Sequence, residues 1–198
     1  SWDRSWGYLV FLFLGIGTAF FDFLTYPACA VGTCLALQAL MSRADGKTRL
    51  LKTVGSGAAW AFGYGGMWSG KWLAASLITG TNVLRDAMEQ AQYRSGGEVT
   101  AAEGGVNATF GAVLSRNLGV LANPAAAVIV LALLGLLVWL LVTKRCRFAL
   151  ERASLPSLAV AFAVPFVWYF LLRNHSLVHC WMAYRNLSAA VFALSGGL

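Results

Sequence analysis

The chain has 198 residues, 59% of them hydrophobic and 12% charged, with a net charge of +7 and a mean hydropathy of +0.66. An ordinary globular domain carries about a quarter charged residues, so this composition argues against a water-bathed domain and for a polytopic helical membrane protein. The four cysteines, Cys29, Cys34, Cys146 and Cys180, form no CxxC pair, so neither a disulfide framework nor a zinc site is indicated.

The first apolar run, Trp6 to Met41, is too long for one crossing of about 20 residues. It is interrupted at Asp22 to Pro27. Pro27 suits the first turn of a new helix, so the run reads as a hairpin of two spans, the first ending near Phe21. A basic loop, Arg43 to Lys52, follows. The third span is expected from about Thr53 to Ile78 and the fourth from Ala125 to Val142. The fifth is expected from about Pro156 to Leu172, kinked at Pro165, and the sixth from Trp181 to Leu198. The fold class read from the sequence is therefore all-α, with about six transmembrane helices forming one domain over 1–198.

Basic loops mark the cytoplasmic side. Arg43–Lys52 and Lys144–Arg152 lie two crossings apart and so share that side. An integral protein of the bacterial cytoplasmic membrane, basic loops inside, is the expected localisation. The Asp22 hairpin, the polar section 79–121 and the Asn174–Arg185 segment then all fall on the outer face. The chain opens Ser1-Trp2-Asp3-Arg4, without an initiating methionine or a signal-peptide pattern. It reads as a processed or partial piece of something longer.

The outer section holds two amphipathic stretches. In Thr81–Arg94, Val83, Leu84, Ala87, Met88 and Ala91 recur at helical spacing, and Arg85 and Glu89 can pair. In Val106–Val120, Phe110, Val113, Leu114 and Leu118 share a face. Both suit helices lying in a membrane interface.

Candidate chemistry gathers at few positions. Asp22 is a carboxylate at a helix end among aromatic residues, a setting that marks either function or a buried partner. Lys71 follows a glycine run in which a Gly66–Gly70 spacing permits close helix approach. It is either a snorkelling lysine or a cation facing an anionic ligand. Arg85, Asp86 and Glu89 form a solvated face or a substrate-facing lip. The segment Asn174-His175-Ser176-Leu177-Val178-His179, followed by Tyr184-Arg185-Asn186, is the densest cluster. On a helix His175 and His179 share a face. That spacing can bind a metal but lacks a third ligand, so no metal site is assigned; the cofactor is unknown, with a divalent metal left open. Histidine can instead transfer protons near neutral pH, and the planar fork of Arg185 suits a phosphate. Capping and anchoring between helices is the plainer alternative. No P-loop, GxGxxG, GxSxG or CxxCH motif is present.

FFDFLTYP at 20–27, WAFGYGGMWSGKW at 60–72 and WYFLLRNHSLVHCWMAYRN at 168–186 together resemble a family of bacterial polytopic membrane proteins. In that family they form the C-terminal half of a longer chain. By analogy the whole resembles membrane-embedded glycosyltransferases of the GT-C type, which use polyprenyl-phosphate sugar donors at the extracytoplasmic face. The resemblance implies Asp22 as the acid and Lys71 and Arg185 as phosphate holders, with His175 or His179 nearby. Joined to the reading of the residues, this makes Asp22, His175 and His179 the candidate catalytic residues and Lys71, Arg85, Arg185 and Asn174 the candidate holders of the phosphate or lipid headgroup. Implied partners are membrane lipids, a polyprenyl-phosphate sugar, and other membrane subunits or a missing N-terminal half; nucleic acid is not among them. A carrier of an anionic or lipid-linked substrate, and a non-catalytic membrane subunit, remain alternatives.

Overall fold

The computed structural model describes residues 6–21, 24–125 and 152–197, with scattered positions between 128 and 143. Its helices are α1 Trp6–Phe21, α2 Pro27–Met41, α3 Gly46–Thr79, α4 Val83–Ser95, α5 Phe110–Leu121, α6 Leu155–Leu171, α7 Arg173–Val178, α8 Cys180–Ala183 and α9 Leu187–Gly197. Short 3-10 turns occupy Ala101–Glu103 and Tyr184–Asn186.

Local chemistry sets these boundaries. Asp45 caps α3 by accepting from the Thr48 N–H at 3.1 Å, and those hydrogen bonds hold its carboxyl below the usual range. Gly80, with φ +66°, ends α3 in the left-handed conformation that glycine adopts without strain. Asn82 and Thr109 cap α4 and α5 in the same way as Asp45. Pro27 opens α2, but its neighbour Tyr26 offers no side-chain cap. The missing acceptor comes from far along the chain, because the Cys29 N–H donates to Asn186 Oδ1 at 3.0 Å.

The all-helical part of the sequence reading stands, but the six-span membrane reading does not. Among the described residues, no helix is long and apolar enough to cross a membrane. A crossing needs about 20 apolar residues, whereas α1 has 16, α2 15, α6 17 and α9 11. Among the fully described helices only α3, with 34 residues, has the length, and it carries Lys47, Arg49, Lys52 and Lys71 along a glycine-rich sequence. The expected sixth span is broken into α8, a 3-10 turn and α9. The expected fourth span, 125–142, and the basic stretch 144–151 fall largely outside the described residues. The assignment to the bacterial cytoplasmic membrane with basic loops inside loses its support with the spans. Arg49, expected in a basic loop, is instead 1% exposed, and its Nη2 donates to the Ala44 carbonyl at 3.0 Å. Large apolar side chains nevertheless remain exposed, among them Trp6, Phe21, Phe62, Leu77 and Ile78.

Two apolar clusters hold the helices. In the first, Phe11, Val31, Leu35, Trp60 and Leu158 join α1, α2, α3 and α6. The helices α1 and α3 run parallel, with Tyr8 beside Gly55, Leu12 beside Gly63 and Ala19 beside Lys71. Their backbones meet where side chains are absent. A Cβ on Gly63 would strike the Leu12 carbonyl, and one on Gly15 the Trp60 carbonyl. The expected Gly66 and Gly70 are not the contact, since a Cβ on either meets nothing within 4 Å. In the second cluster, Val113, Tyr169, Leu177, Ala183 and Leu187 tie α5 to the C-terminal helices. Tyr169 is fully buried, donates to the Ala183 carbonyl at 2.9 Å, and has its phenol pushed far up by burial.

Candidate functional site

The segment from Arg173 to Ser188 is a hub. His175, 6% exposed, sits against the α1–α2 turn, with its Nε2 and the Leu24 carbonyl 2.8 Å apart. A carbonyl only accepts, so Nε2 carries the hydrogen and donates. Leu24 has φ +62°, a left-handed conformation that strains a residue with a Cβ. The same turn is held by Arg185 over the Tyr26 ring at 5.9 Å and by the Asn186 cap on α2. On the hub's other side, Asn174, fully buried, donates to the Glu98 carbonyl at 2.7 Å. Asn117 of α5 donates to the Ser176 carbonyl at 2.9 Å. The three polar segments singled out in the sequence do meet.

His179 faces the end of α4. Its Nε2 lies 3.4 Å from an Arg94 guanidinium nitrogen, and Arg94 lies 3.7 Å from a Glu103 carboxylate oxygen. Tyr93 hydroxyl donates to that same carboxylate. Burial first, and then the Arg94 charge, lower the pKa of His179, while Glu103 opposes them. The His175 and His179 rings are 4.7 Å apart. Among the described residues no group of three or more His, Cys, Asp or Glu is placed to hold a metal.

Beside this cluster lies a cavity of about 680 Å³, within the roughly 300–1,000 Å³ of small-molecule sites. Trp68 and Trp72 of α3 form one wall, their rings 5.9 Å apart. Trp168 and Leu171 of α6, with Leu172 just after it, form another, and the strained Leu24 closes the rim. The third wall is α4. Val83, Ala87 and Ala91 supply its apolar part, and Asp86, Gln90 and Arg94 its polar edge. These last three are four residues apart, so they stack on one helix face. Asp86 and Arg94 are separated by about 12 Å along the axis at 1.5 Å per residue.

The candidate residues named from sequence separate into different roles. Lys71 does not line the cavity. Its Nζ donates to the Ala19 carbonyl at 2.9 Å and lies over the Phe20 and Trp68 rings at 5.1 and 5.2 Å. It therefore satisfies an open carbonyl in the last turn of α1, where a cation is favoured. Arg85 is exposed and pairs with Glu89 at 3.1 Å. Arg185, Asn174 and His175 hold the turn and the loop described above. His179 reaches the cavity only through Arg94. Asp22 lies outside the described residues. Arg94, the cation that does line the cavity, was not singled out in the sequence. Its signal is the Asp86–Gln90–Arg94 spacing beside the Val83–Ala87–Ala91 stripe.

No family model, curated protein or solved structure matches this chain.

Proposed function

We propose that the protein binds a polyprenyl-phosphate-linked sugar and transfers the sugar to an acceptor hydroxyl. The observation that carries this reading is the cavity: apolar tryptophan and leucine walls with a carboxylate, an amide and a guanidinium along a single edge. An amphiphile with an apolar chain, a phosphate and a hydroxyl-rich head matches that division. The Arg94 fork takes phosphate oxygens. Gln90 and Asp86 accept from sugar or acceptor hydroxyls, and the Trp68–Trp72 wall offers aromatic faces to the ring. In the transfer, the acceptor oxygen bonds to the anomeric carbon as the bond from that carbon to the phosphate oxygen breaks. Asp86 takes the acceptor's proton, and Arg94 stabilises the charge on the departing phosphate. This retains the sugar-donor chemistry that the motif resemblance implies, without its membrane crossing, and moves the acid and the cation onto α4.

A carrier that holds the same amphiphile without reacting is the second reading. It is favoured by the absence of His175 and His179 from the cavity wall.

The test is equilibrium binding of radiolabelled farnesyl phosphate to wild type, Arg94→Ala and Arg85→Ala, with thermal unfolding followed in parallel. A charge-assisted hydrogen bond contributes about 1.5–3 kcal/mol, so Arg94→Ala should weaken binding about tenfold to a hundredfold. Arg85→Ala should leave it unchanged. Absence of binding to wild type, or equal affinity in a folded Arg94→Ala variant, refutes the reading. Incubation with a polyprenyl-phosphate sugar and an acceptor separates enzyme from carrier, since only an enzyme releases the free polyprenyl phosphate. Asp86→Asn should then stop release while leaving binding in place.

A further inference from the structure

We propose that Gly65 is the passage between two halves of one chain-binding groove, and that it sets the length of apolar tail the protein accepts. This rests on the amphiphile reading above and adds a specificity determinant to it.

A second cavity, of about 520 Å³, adjoins the first. The two share Tyr64 and Gly65 of α3 and Trp168 and Leu171 of α6. Beyond the shared wall, the second cavity continues between α2, α3 and α6, past Val31, Leu35, Gly57 and Val164. Among the described residues that line it, none is charged. The Thr53 hydroxyl is turned back to the Arg49 carbonyl at 3.0 Å. The charge that the described residues bring to the combined groove thus stands at the α4 end. That polarity gradient orients an amphiphile: head at Arg94, tail through the shared wall and into the second cavity. The first cavity alone is the size of an ordinary small-molecule site, and the second adds room for a longer apolar tail.

At the junction one wall is rigid and the other is bare. Tyr64 is stacked on Trp60 at 4.8 Å and set edge-on to Trp168 at 6.0 Å. Gly65 is beside them, and a Cβ built on it meets nothing within 4 Å. A side chain there would enter the passage rather than the protein's packing. Gly66, the next residue, is equally open yet lines neither cavity, which makes it the matched control. Glycine inside a helix costs stability relative to alanine. An open, helical Gly65 is thus a position where a larger residue would be tolerated by the fold and excluded only by what passes through.

The experiment measures binding of farnesyl phosphate and of a long polyprenyl phosphate to wild type, Gly65→Phe, Gly65→Leu and Gly66→Phe, with melting temperatures for all four. Expected in both Gly65 variants is a loss of long-chain affinity at least about tenfold greater than any loss of farnesyl phosphate affinity, with melting temperature kept. Gly66→Phe should match wild type for both ligands. Long-chain binding that survives in both Gly65 variants overturns the passage and leaves the amphiphile reading standing. Equal loss of the short and long ligands in folded Gly65 variants also overturns it, since the first cavity would not then be a separate compartment. If wild type binds neither ligand, the amphiphile reading falls and this inference with it.

Discussion

His175 offers the sharpest test of how the hub works. The perturbation is His175→Leu, which keeps bulk and removes the donor that reaches the Leu24 carbonyl at 2.8 Å. His175 is 6% exposed and Leu24 is half-buried, so the carbonyl gains little water in exchange. Leaving such an acceptor without its donor costs about 1–3 kcal/mol. The turn can recover part of this by leaving the left-handed conformation at Leu24, φ +62°, whose strain is of order 1–3 kcal/mol. The stability lost is then below the full hydrogen-bond figure, and the turn moves. For a chain of this size each kcal/mol shifts the melting temperature by about 2–4 °C, so a fall of a few degrees is expected. His175→Gln places an amide N–H close to the imidazole Nε2 and should fall by less than half as much. Amide hydrogen exchange supplies the second readout. The amides from Leu24 to Cys29 should exchange faster in the leucine variant, with those of α5 unchanged, because local opening follows loss of local bonds. Equal melting temperatures for the leucine and glutamine variants, or unchanged exchange at 24–29, would refute the claim that this bond holds the turn.

Other outcomes follow from the same contacts. Gly63→Ala should lower stability by about 1–3 kcal/mol, the usual cost of overpacking, because its Cβ meets the Leu12 carbonyl; Gly66→Ala, in open space, should raise it by about 0.5–1 kcal/mol. Urea unfolding checks both. Asn186→Ala removes one of two acceptors for the Cys29 N–H, which keeps its bond to the Tyr26 carbonyl at 3.0 Å, and should cost no more than the low end of the about 0.5–2 kcal/mol that loss of a helix N-cap costs. His179 has its pKa lowered in the fold by burial and by Arg94. The unfolded chain therefore binds more protons from about pH 6.5 down to the folded value. Stability should be full above that pH and fall as the pH drops through the window; a His179→Gln variant should show a flatter slope there, and an unchanged slope would refute the assignment.

The sequence made some elements legible through local chemistry and hid others for a physical reason. Pro27 and the Val83–Ala87–Ala91 spacing each mark a boundary or a face by themselves, and α1, α2 and α4 lie where those signals put them. Hydropathy misled because it averages over breaks. The run from Trp181 to Leu198 is apolar enough to resemble a span, yet the Tyr184–Asn186 turn cuts it in two. Asn186 sits at that cut and caps α2 from 157 residues away, a contact no spacing rule encodes. The glycine pattern likewise announced close helix approach but not which glycine makes it. Gly63 and Gly66 read alike in sequence, and only the register of α1 against α3 separates them.

The same register explains why the polar residues of the C-terminal segment do not themselves form a pocket. α7 is only six residues long, so Asn174, His175 and His179 point to different neighbours: the loop before Ala101–Glu103, the Leu24 turn and the end of α4. Two of those neighbours, the Leu24 turn and the end of α4, line the cavity. His175 sets the Leu24 rim, and His179 with Glu103 sets the Arg94 guanidinium. Buried polar groups with fixed partners define one arrangement more sharply than apolar packing alone. Their work at this site is to position the rim and the cation, while the walls that meet a ligand come from the aromatic face of α3 and the stripe of α4. If the proposed amphiphile binds there, substitutions in the hub should change its affinity through Leu24 and Arg94, and those in α4 through contact.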